Sequence, residues 1–414
     1  MESVNNNAVS YSVVLSACLL VVLGDLRNVI SPVGYWALWG VVVLIGFMSA
    51  PERLSFKVSR ELSVYILGFF VLFVAFVMSS IANLDINTFY QGLKMLSVGV
   101  VFVCVYTHSQ RLQQEDYYSL SAVSIVVGFL FFCVAKFYLT DWHVKLGDGR
   151  QGSQFAFPGV LWKTCAFFAG FVIVGMLFDS RSKVLGFLVL MAAAYVLMMD
   201  SSRTGFIVFL MEILLILLLS MHLKPKLTFF LLLLCVMVST FVLMLYSTGY
   251  DFLNFNDSPL VVDRLGAGDP VRAQMLADGL MYFDKCLPFG CGFGATTSEV
   301  DGFPMVVHNA FLSSGGDLGG LGFLGLSLLV ISPLLIFSLR LWRYAAGEDK
   351  SRHTFIYATA AFGGALGFTL LLMLHPFSTE LSEWGIWIIM ASALSVLSRQ
   401  LVISNQIQAE GDGI

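Results

Sequence analysis

The chain has 414 residues, of which 58% are hydrophobic and 12% charged, and its mean hydropathy is +0.84. These values exclude an ordinary soluble domain, and many apolar runs are about 20 residues long, enough for a helix to cross a bilayer core. The net charge of -4 says little about ligands, because the surface charges lie in short loops. We therefore expect an all-α polytopic membrane protein with no nucleic-acid partner.

Twelve apolar segments are predicted to span the membrane, at residues 9–24, 33–50, 63–82, 91–107, 119–139, 159–178, 184–199, 206–221, 227–247, 321–341, 355–374 and 384–402. The seventh ends at a polar stretch, residues 200–205, which we expect to reach an interface or a water-filled cavity. No basic region precedes the first segment, so that segment is predicted to stay in the protein rather than act as a cleaved signal peptide.

The chain therefore divides into nine spans over residues 1–247, a long polar segment over 248–320, three spans over 321–402 and a tail over 403–414. The polar segment is predicted to carry two short helices. One is an amphipathic helix over residues 273–283 that follows Pro270, and the chain then breaks at residues 288–294, which contain three glycines. The second is expected to begin near His308 and to end at Gly315 and Gly316.

The distribution of cations predicts the orientation. Thirteen Lys and Arg side chains belong to one set of alternate loops, mostly beside span ends, and ten belong to the other set. Several of those ten lie in or beside the long polar segment, where the positive-inside rule does not count them. Both termini are therefore expected in the cytoplasm, with residues 250–320 on the outside.

This topology brings several cations to one side of the membrane. Arg203, Arg264, Arg272 and His308 come from separate parts of the chain, and Lys163 lies a few residues into the sixth span on the same side. Cations at a membrane interface usually have an anionic partner, and Arg is suited to forked contacts with phosphate oxygens. A His in a first helical turn tends to be neutral and can accept a proton. The pattern indicates a site for an anionic ligand that arrives from the membrane.

Simpler interpretations remain open for each of these residues. His308 could cap a helix, Arg203 could anchor span seven at the interface, and Arg264 could pair with a neighbouring aspartate. Other residues could be ordinary interface residues, namely Lys163, His375 and Glu380. Cys286 and Cys291 lie close together in the polar segment and could form a disulfide in an oxidising compartment or remain as thiols.

Three motifs, in order along the chain, resemble those of the O-antigen ligase and polymerase superfamily of bacterial envelope glycosyltransferases. They are Ser201-Ser202-Arg203-Thr204-Gly205, then Arg272 with the later Pro288-x-Gly290-x-Gly292-x-Gly294, then His308-Asn309-x-Phe311-Leu312. The predicted twelve spans with one long external loop also match that superfamily. The motifs together cover roughly residues 200–325.

The resemblance implies a GT-C-like membrane fold and a metal-independent, cofactor-free, inverting glycosyltransferase of the bacterial inner membrane, with its active site facing the periplasm. The donor would be a glycan on undecaprenyl pyrophosphate, and the acceptor a glycolipid hydroxyl on lipid A–core or on another lipid-linked repeat. His308 would be the general base. The substrate-binding residues would be Arg203, Arg272, Arg264, Lys163 and Asn309.

Two alternatives stay open. A ligase moves the finished glycan to lipid A–core, whereas a polymerase joins it to a lipid-linked repeat, and the Arg and His arrangement favours the ligase. A twelve-span transporter is an alternative of another class. The sequence has no repeat that relates its two halves, and its spans are nearly free of ionisable groups, so it lacks two features typical of transporters.

Overall fold

A computed structural model describes residues 2–49, 60–146, 149–178, 183–220, 270–300, 302–345 and 352–411. Up to residue 220 the described helices are α1 (Glu2–Val22), α2 (Arg27–Ile30), α3 (Pro32–Ser49), α4 (Arg60–Asn83), α5 (Ile86–Ser109), α6 (Gln114–Phe137), α7 (Leu161–Phe178), α8 (Lys183–Asp200) and α9 (Arg203–Ser220). After residue 269 they are α10 (Pro270–Lys285), α11 (Ala310–Ala345), α12 (Arg352–Leu372) and α13 (Leu381–Gly411).

The described sheet structure is limited to two antiparallel hairpins. In the first, β1 (His143–Lys145) pairs with β2 (Gln151–Ser153), and in the second, β3 (Thr297–Val300) pairs with β4 (Phe303–Val306). A single 3-10 turn, Thr140–Trp142, precedes β1. Both hairpins lie in connections between long helices.

Nine of the described helices, α3 to α8 and α11 to α13, are long and apolar enough to cross a membrane. Eleven of the twelve predicted spans coincide with helices α1, α3 to α9 and α11 to α13, whereas the ninth, 227–247, lies outside the described residues. The prediction of an all-α, multi-pass membrane protein is confirmed. Its basis is physical, because a helix satisfies its own backbone hydrogen bonds in lipid.

The centre of the bundle is formed by α7 and α13. Of the segments suited to spanning, those two are 89% and 94% buried inside the protein, compared with 17% for α3. Glycines allow close packing at this centre: a Cβ atom added at Gly205 would lie 2.7 Å from Trp162 Cδ2, and one at Gly385 would lie 2.4 Å from Val21 Cγ2. Such small residues are typical of helix contacts in membranes.

We call one end of the bundle the site end. There α1, α4, α6, α8 and α12 finish, and α3, α5, α7, α9 and α13 begin. Hydrogen bonds across this end join Asn83 to Gly290, Thr88 to Phe293, and Trp162 to Asp200. At the opposite end, Ser10 bonds His108 and Gln114 bonds Thr354. The beginning of α1 and the last turns of α13 both lie towards that opposite end.

Candidate functional site

A cavity of about 250 Å³ opens at the site end, where three distant segments of the chain meet. One wall comes from the first turns of α10, one from the residues just before α11 and one from the residues just after α12. Its lining consists of Arg272, Ala273, Leu276, His308, Asn309, Met373 and Leu374. The cavity therefore places a guanidinium, an imidazole and a carboxamide beside an apolar wall.

The His308 ring is oriented by the end of strand β4. Its Nδ1 atom lies 2.9 Å from the carbonyl oxygen of Val306. Because a carbonyl oxygen can only accept, Nδ1 must carry the hydrogen of this bond. In the neutral ring the lone pair is then on Nε2, the nitrogen that can accept a proton. The β4 backbone thus selects the tautomer that a general base requires.

Asn309 defines the start of α11. Its Oδ1 accepts the N–H groups of Phe311 and Leu312, both at 3.1 Å, which is the pattern of an N-cap. The helix expected near His308 begins at Ala310, so His308 precedes the cap and does not lie in the first helical turn, where it was expected. His308 remains close to the positive end of the helix dipole.

The expected end of this helix at Gly315 and Gly316 is also wrong. Both glycines are helical, and α11 is interrupted instead at Gly319, where φ is 76° and ψ is -167°. At these three positions there is no room for a side chain. Added Cβ atoms would lie 2.1 Å from Phe283, 2.3 Å from Thr296 and 2.0 Å from the Pro288 carbonyl oxygen. The sequence pattern of Gly315 and Gly316 predicts a helix end, but in the structure other residues pack closely against these glycines.

The glycine-rich turn at residues 288–294 is bound to α11 by Asp317. The buried Asp317 carboxylate accepts the backbone N–H of Gly294 and that of Thr296, each at 2.8 Å, and the Thr296 hydroxyl at 2.6 Å. Gly290, Gly292 and Gly294 all have positive φ, which a residue with a side chain rarely adopts. The predicted tight turn is present, and it joins α10 firmly to the helix that begins beside His308.

Cys286 and Cys291 form a disulfide, with Cα atoms 5.3 Å apart. The bond closes the Cys-Leu-Pro-Phe-Gly-Cys segment between α10 and the glycine turn. Of the two states that the sequence left open, the structure has the oxidised one.

The loop at residues 373–380, which carries His375, forms the third wall. The backbone N–H of Phe377 donates to Ser313 Oγ of α11 at 2.9 Å, and Glu380 forms an ion pair with Lys94 of α5. The His375 ring lies 6.5 Å from the His308 ring, measured between centroids. Burial, together with the positive charge of Lys163, lowers the pKa of His375 to about 3. His375 is therefore a neutral imidazole beside His308 at any physiological pH.

This lowered pKa predicts a loss of stability in acid. An unfolded histidine binds a proton near pH 6.5, whereas folded His375 does so only near pH 3, so the stability that it confers declines as pH falls through this window. Between about pH 7.5 and about pH 5, the melting temperature of the wild type should fall further than that of His375→Gln. Differential scanning fluorimetry in detergent measures both proteins. An equal fall in melting temperature for the wild type and His375→Gln would mean that His375 binds a proton freely in the folded state.

Lys163 is buried in the first turn of α7 and forms an ion pair with Glu383 in the first turn of α13. The sequence suggested an anionic ligand for Lys163, but the structure supplies a carboxylate from the protein. This pair and the Lys94–Glu380 pair hold the loop at residues 373–380 on both sides, on α5 and on α7.

Removing one partner of the Lys163–Glu383 pair should destabilise the protein. The Lys163 side chain is 3% exposed and that of Glu383 is 29% exposed, so Lys163→Met should cost about 3 kcal/mol, the lower end for buried pairs. The double variant Lys163→Met/Glu383→Leu should recover most of that loss, because no unpaired charge remains. Thermal unfolding of the wild type, Lys163→Met, Glu383→Leu and the double variant measures the effect. If Lys163→Met keeps full stability but loses donor binding, Lys163 serves a ligand instead.

Asp200, the first residue of the polar stretch at 200–205, has its hydrogen-bond partners inside the protein. Asp200 is fully buried and accepts Arg150 Nη2 at 2.7 Å and the backbone N–H groups of Gly159 and Trp162 at 2.8 and 2.9 Å. The expectation that this stretch must reach an interface or a water-filled cavity is corrected for Asp200. A buried carboxylate with three such donors has the partners that it requires.

Arg203 is the first residue of α9, one position after Ser202, whose Oγ accepts the Gly205 N–H at 3.2 Å. Because Gly205 packs on Trp162, Arg203 lies at the site end, near the start of α7. It is not among the residues that line the cavity with Arg272 and His308. Arg264 lies outside the described residues.

The contacts of Glu383, Glu380 and His375 at this end of the bundle were not predicted from the sequence. A signal was available, because Lys94 and Lys163 lie within predicted spans and a cation at that depth needs a partner. Glu380 and Glu383 are the two carboxylates at the start of the last span, on the same predicted side. Pairing these two lysines with these two glutamates would have predicted that the loop containing His375 lies beside the site.

The described part of the chain thus defines a multi-pass, all-α membrane protein with a cavity at one end of its bundle that combines three polar side chains with an apolar wall. Comparison with protein-family models and with curated proteins finds no match to this chain.

Proposed function

We propose that this protein transfers a glycan from undecaprenyl pyrophosphate to a glycolipid hydroxyl, with His308 as general base. The observation that supports this most directly is the hydrogen bond from His308 Nδ1 to the Val306 carbonyl. It fixes the ring with a hydrogen on Nδ1, which leaves Nε2 as the nitrogen that exchanges a proton, in the same cavity as Arg272. A base and a guanidinium in one cavity meet the needs of transfer from a pyrophosphate donor.

In this reaction Nε2 of His308 accepts the proton of the acceptor hydroxyl while the hydroxyl oxygen attacks the anomeric carbon. The bond from that carbon to the pyrophosphate oxygen breaks, and undecaprenyl pyrophosphate leaves with the bonding electrons. Arg272 stabilises the charge on the leaving group through forked hydrogen bonds. Attack from the face opposite the leaving group inverts the anomeric centre.

The remaining lining of the cavity suits the other parts of such substrates. Asn309 uses its Oδ1 to cap α11, so its amide N–H groups are the donors that it can offer to a sugar or a phosphate. Leu276, Met373 and Leu374 form an apolar wall beside Arg272, as an isoprenoid chain next to a pyrophosphate would require. Arg203 would contact the donor from outside the cavity, Arg264 would be a further contact to the donor, and Lys163 would act through its ion pair.

A bacterial inner-membrane location with both termini in the cytoplasm fits this activity, as does a twelve-span GT-C-like fold. The site end would then face the periplasm. The disulfide between Cys286 and Cys291 supports that orientation, since structural disulfides persist in oxidising compartments. The guanidinium of Arg272, which lines the cavity, supports an anionic substrate.

Of the two reactions in this class, we propose ligation to lipid A–core, with polymerisation of lipid-linked repeats as the alternative. The lipopolysaccharide ladder of a deletion strain distinguishes them. Core without an attached chain, together with accumulated lipid-linked polymer, indicates a ligase, and core with one repeat indicates a polymerase. A ladder identical to that of the parent strain would contradict both.

One observation favours the transporter alternative. Glu212 is fully buried halfway along α9, so the expectation that the spans are nearly free of ionisable groups needs correction at this position. Ionisable residues at such depth are common on transport pathways. Purified protein in proteoliposomes separates the two functions. Glycan transfer without solute flux supports the transferase, and flux without transfer supports the transporter.

A further inference from the structure

Glu212 occupies a position that the proposed reaction does not use. It lies nine residues after Arg203 on α9, which places it about 13 Å below the start of that helix. Among the described side chains it is the one buried glutamate, and its exposed fraction is 0%. Its neighbours are Gly170 of α7 and Gly363 and Gly364 of α12.

These three glycines leave space for the carboxyl group and little else. Added Cβ atoms at Gly170, Gly363 and Gly364 would lie 3.0 Å from Glu212 Oε2, 3.4 Å from Glu212 Cγ and 3.5 Å from Glu212 Oε1. The Gly170 N–H donates to Oε2 at 3.1 Å. Oε1 is buried and has no hydrogen-bond partner among the described residues.

Among the described residues, no ionisable side chain of the surrounding helices faces this carboxyl group. The nearest along each helix are Cys165 and Lys163 on α7, Tyr357 on α12 and Glu383 on α13, the last helix reaching Gly364 through Met390. Each lies about 7–11 Å along its helix axis from the residue nearest Glu212. On α9 itself the nearest is Arg203. Lys163, the cation of this group on α7, is already paired with Glu383.

The described surroundings offer little to stabilise a negative charge at this place. An ionised carboxylate inside a membrane-embedded bundle needs a cation or several donors, and Glu212 has one backbone N–H. Protonation of Glu212 removes this charge, because the neutral carboxylic acid carries the added hydrogen on one of its two oxygens. We infer that Glu212 is a proton-binding site, occupied at neutral pH, at the contact of α7, α9 and α12.

The three helices around the Glu212 proton connect it to the site end. The three helices that meet at Glu212 carry Lys163 and Arg203 at their first turns, and α12 leads into the loop with His375. Loss of the proton would put a charge between those helices and separate them. The bound proton therefore keeps these elements in register, whatever reaction the cavity performs.

Infrared spectroscopy of the purified wild type tests the inference. The difference between the wild type and Glu212→Gln at neutral pH should contain the carbonyl band of a protonated carboxyl group, and Glu212→Gln should keep its melting temperature, because the amide has the shape of the acid. Glu299→Gln is the matched control. Glu299 is exposed on β3, so its difference spectrum should contain only carboxylate bands.

A second measurement needs no variant. When wild-type protein labelled with ¹³C-glutamate is compared with unlabelled protein, the frequency of a protonated-carboxyl band should shift. The bands of the buried aspartates should keep their frequencies. If no such band shifts, or if the Glu212→Gln difference contains only carboxylate, Glu212 is ionised and the inference is overturned. A rise in wild-type melting temperature with sodium or potassium that Glu212→Gln abolishes would also overturn it, since a cation would then neutralise the carboxylate.

Discussion

His308→Ala should lower glycan transfer by about 10²–10⁴-fold, the usual effect of removing a general base. The donor should still bind, because Arg272 and the apolar wall remain. The physical reason is the fixed tautomer: Nδ1–H is bound to the Val306 carbonyl, so Nε2 is the group that takes the proton from the acceptor hydroxyl. Transfer by purified protein, with donor binding measured separately, checks both parts.

His308→Gln is the matched control for this experiment. A glutamine amide can donate to the Val306 carbonyl as the ring does, but it cannot accept a proton at neutral pH. If proton transfer is the role of His308, the glutamine variant should be as slow as the alanine variant. A glutamine variant with nearly normal activity would show that His308 only supports the loop between β4 and α11.

Arg272→Ala should weaken donor binding by about 10–100-fold, because hydrogen bonds to a charged group contribute roughly 1.5–3 kcal/mol. Arg272→Lys keeps the charge but loses the planar fork, so transfer should also fall strongly. The arginine is in the first turn of α10 and lines the cavity with His308. Binding of the lipid-linked donor to purified protein measures the first effect, and the transfer rate measures the second.

Lys285→Ala provides the charge control for Arg272. Lys285 is the last residue of α10 and does not line the cavity, so its removal changes the net charge of the helix equally. Its donor affinity should match that of the wild type. If Arg272→Ala and His308→Ala both bind donor normally but transfer slowly, Arg272 acts on the transition state or on the acceptor, and the role as a ground-state pyrophosphate clamp is wrong.

Much of the helical framework could be predicted because hydrophobicity over about 20 residues is a local property of the sequence. The start of α10 was predicted to within three residues, because Pro270 marks a helix start, but the predicted helix began at residue 273 and the structure begins it at Pro270 itself. The course of α11 was not. Gly315 and Gly316 have the sequence signature of a helix end, but Phe283 and Thr296 pack against them, and the break occurs at Gly319 where the Pro288 carbonyl approaches. Tertiary contacts determined which glycine interrupts the helix.

The site was predictable where its residues form motifs and unpredictable where it depends on distant partners. Arg272, His308 and Asn309 were selected from the sequence, and they line one cavity. The partner of Lys163 is 220 residues away, and no local pattern joins Lys163 to Glu383. Glu212 was missed for a different reason, because an average over an apolar helix conceals a single carboxyl group. Whether the cavity binds the predicted substrates stays a prediction.

The burial of α7 has a consequence for how the protein is made. Helices enter the membrane in chain order during synthesis, and in the finished bundle α7 packs against α6, which precedes it, and against α8, α9 and α12, which emerge after it. Until then the faces of α7 that the later helices will cover have lipid or an assembly factor as their neighbour, and Lys163 has no Glu383. The last helix therefore completes both the interior of the bundle and the partner of its buried lysine. A chain truncated before residue 381 should carry an unpaired cation at that depth, a state that membrane quality control can recognise and degrade.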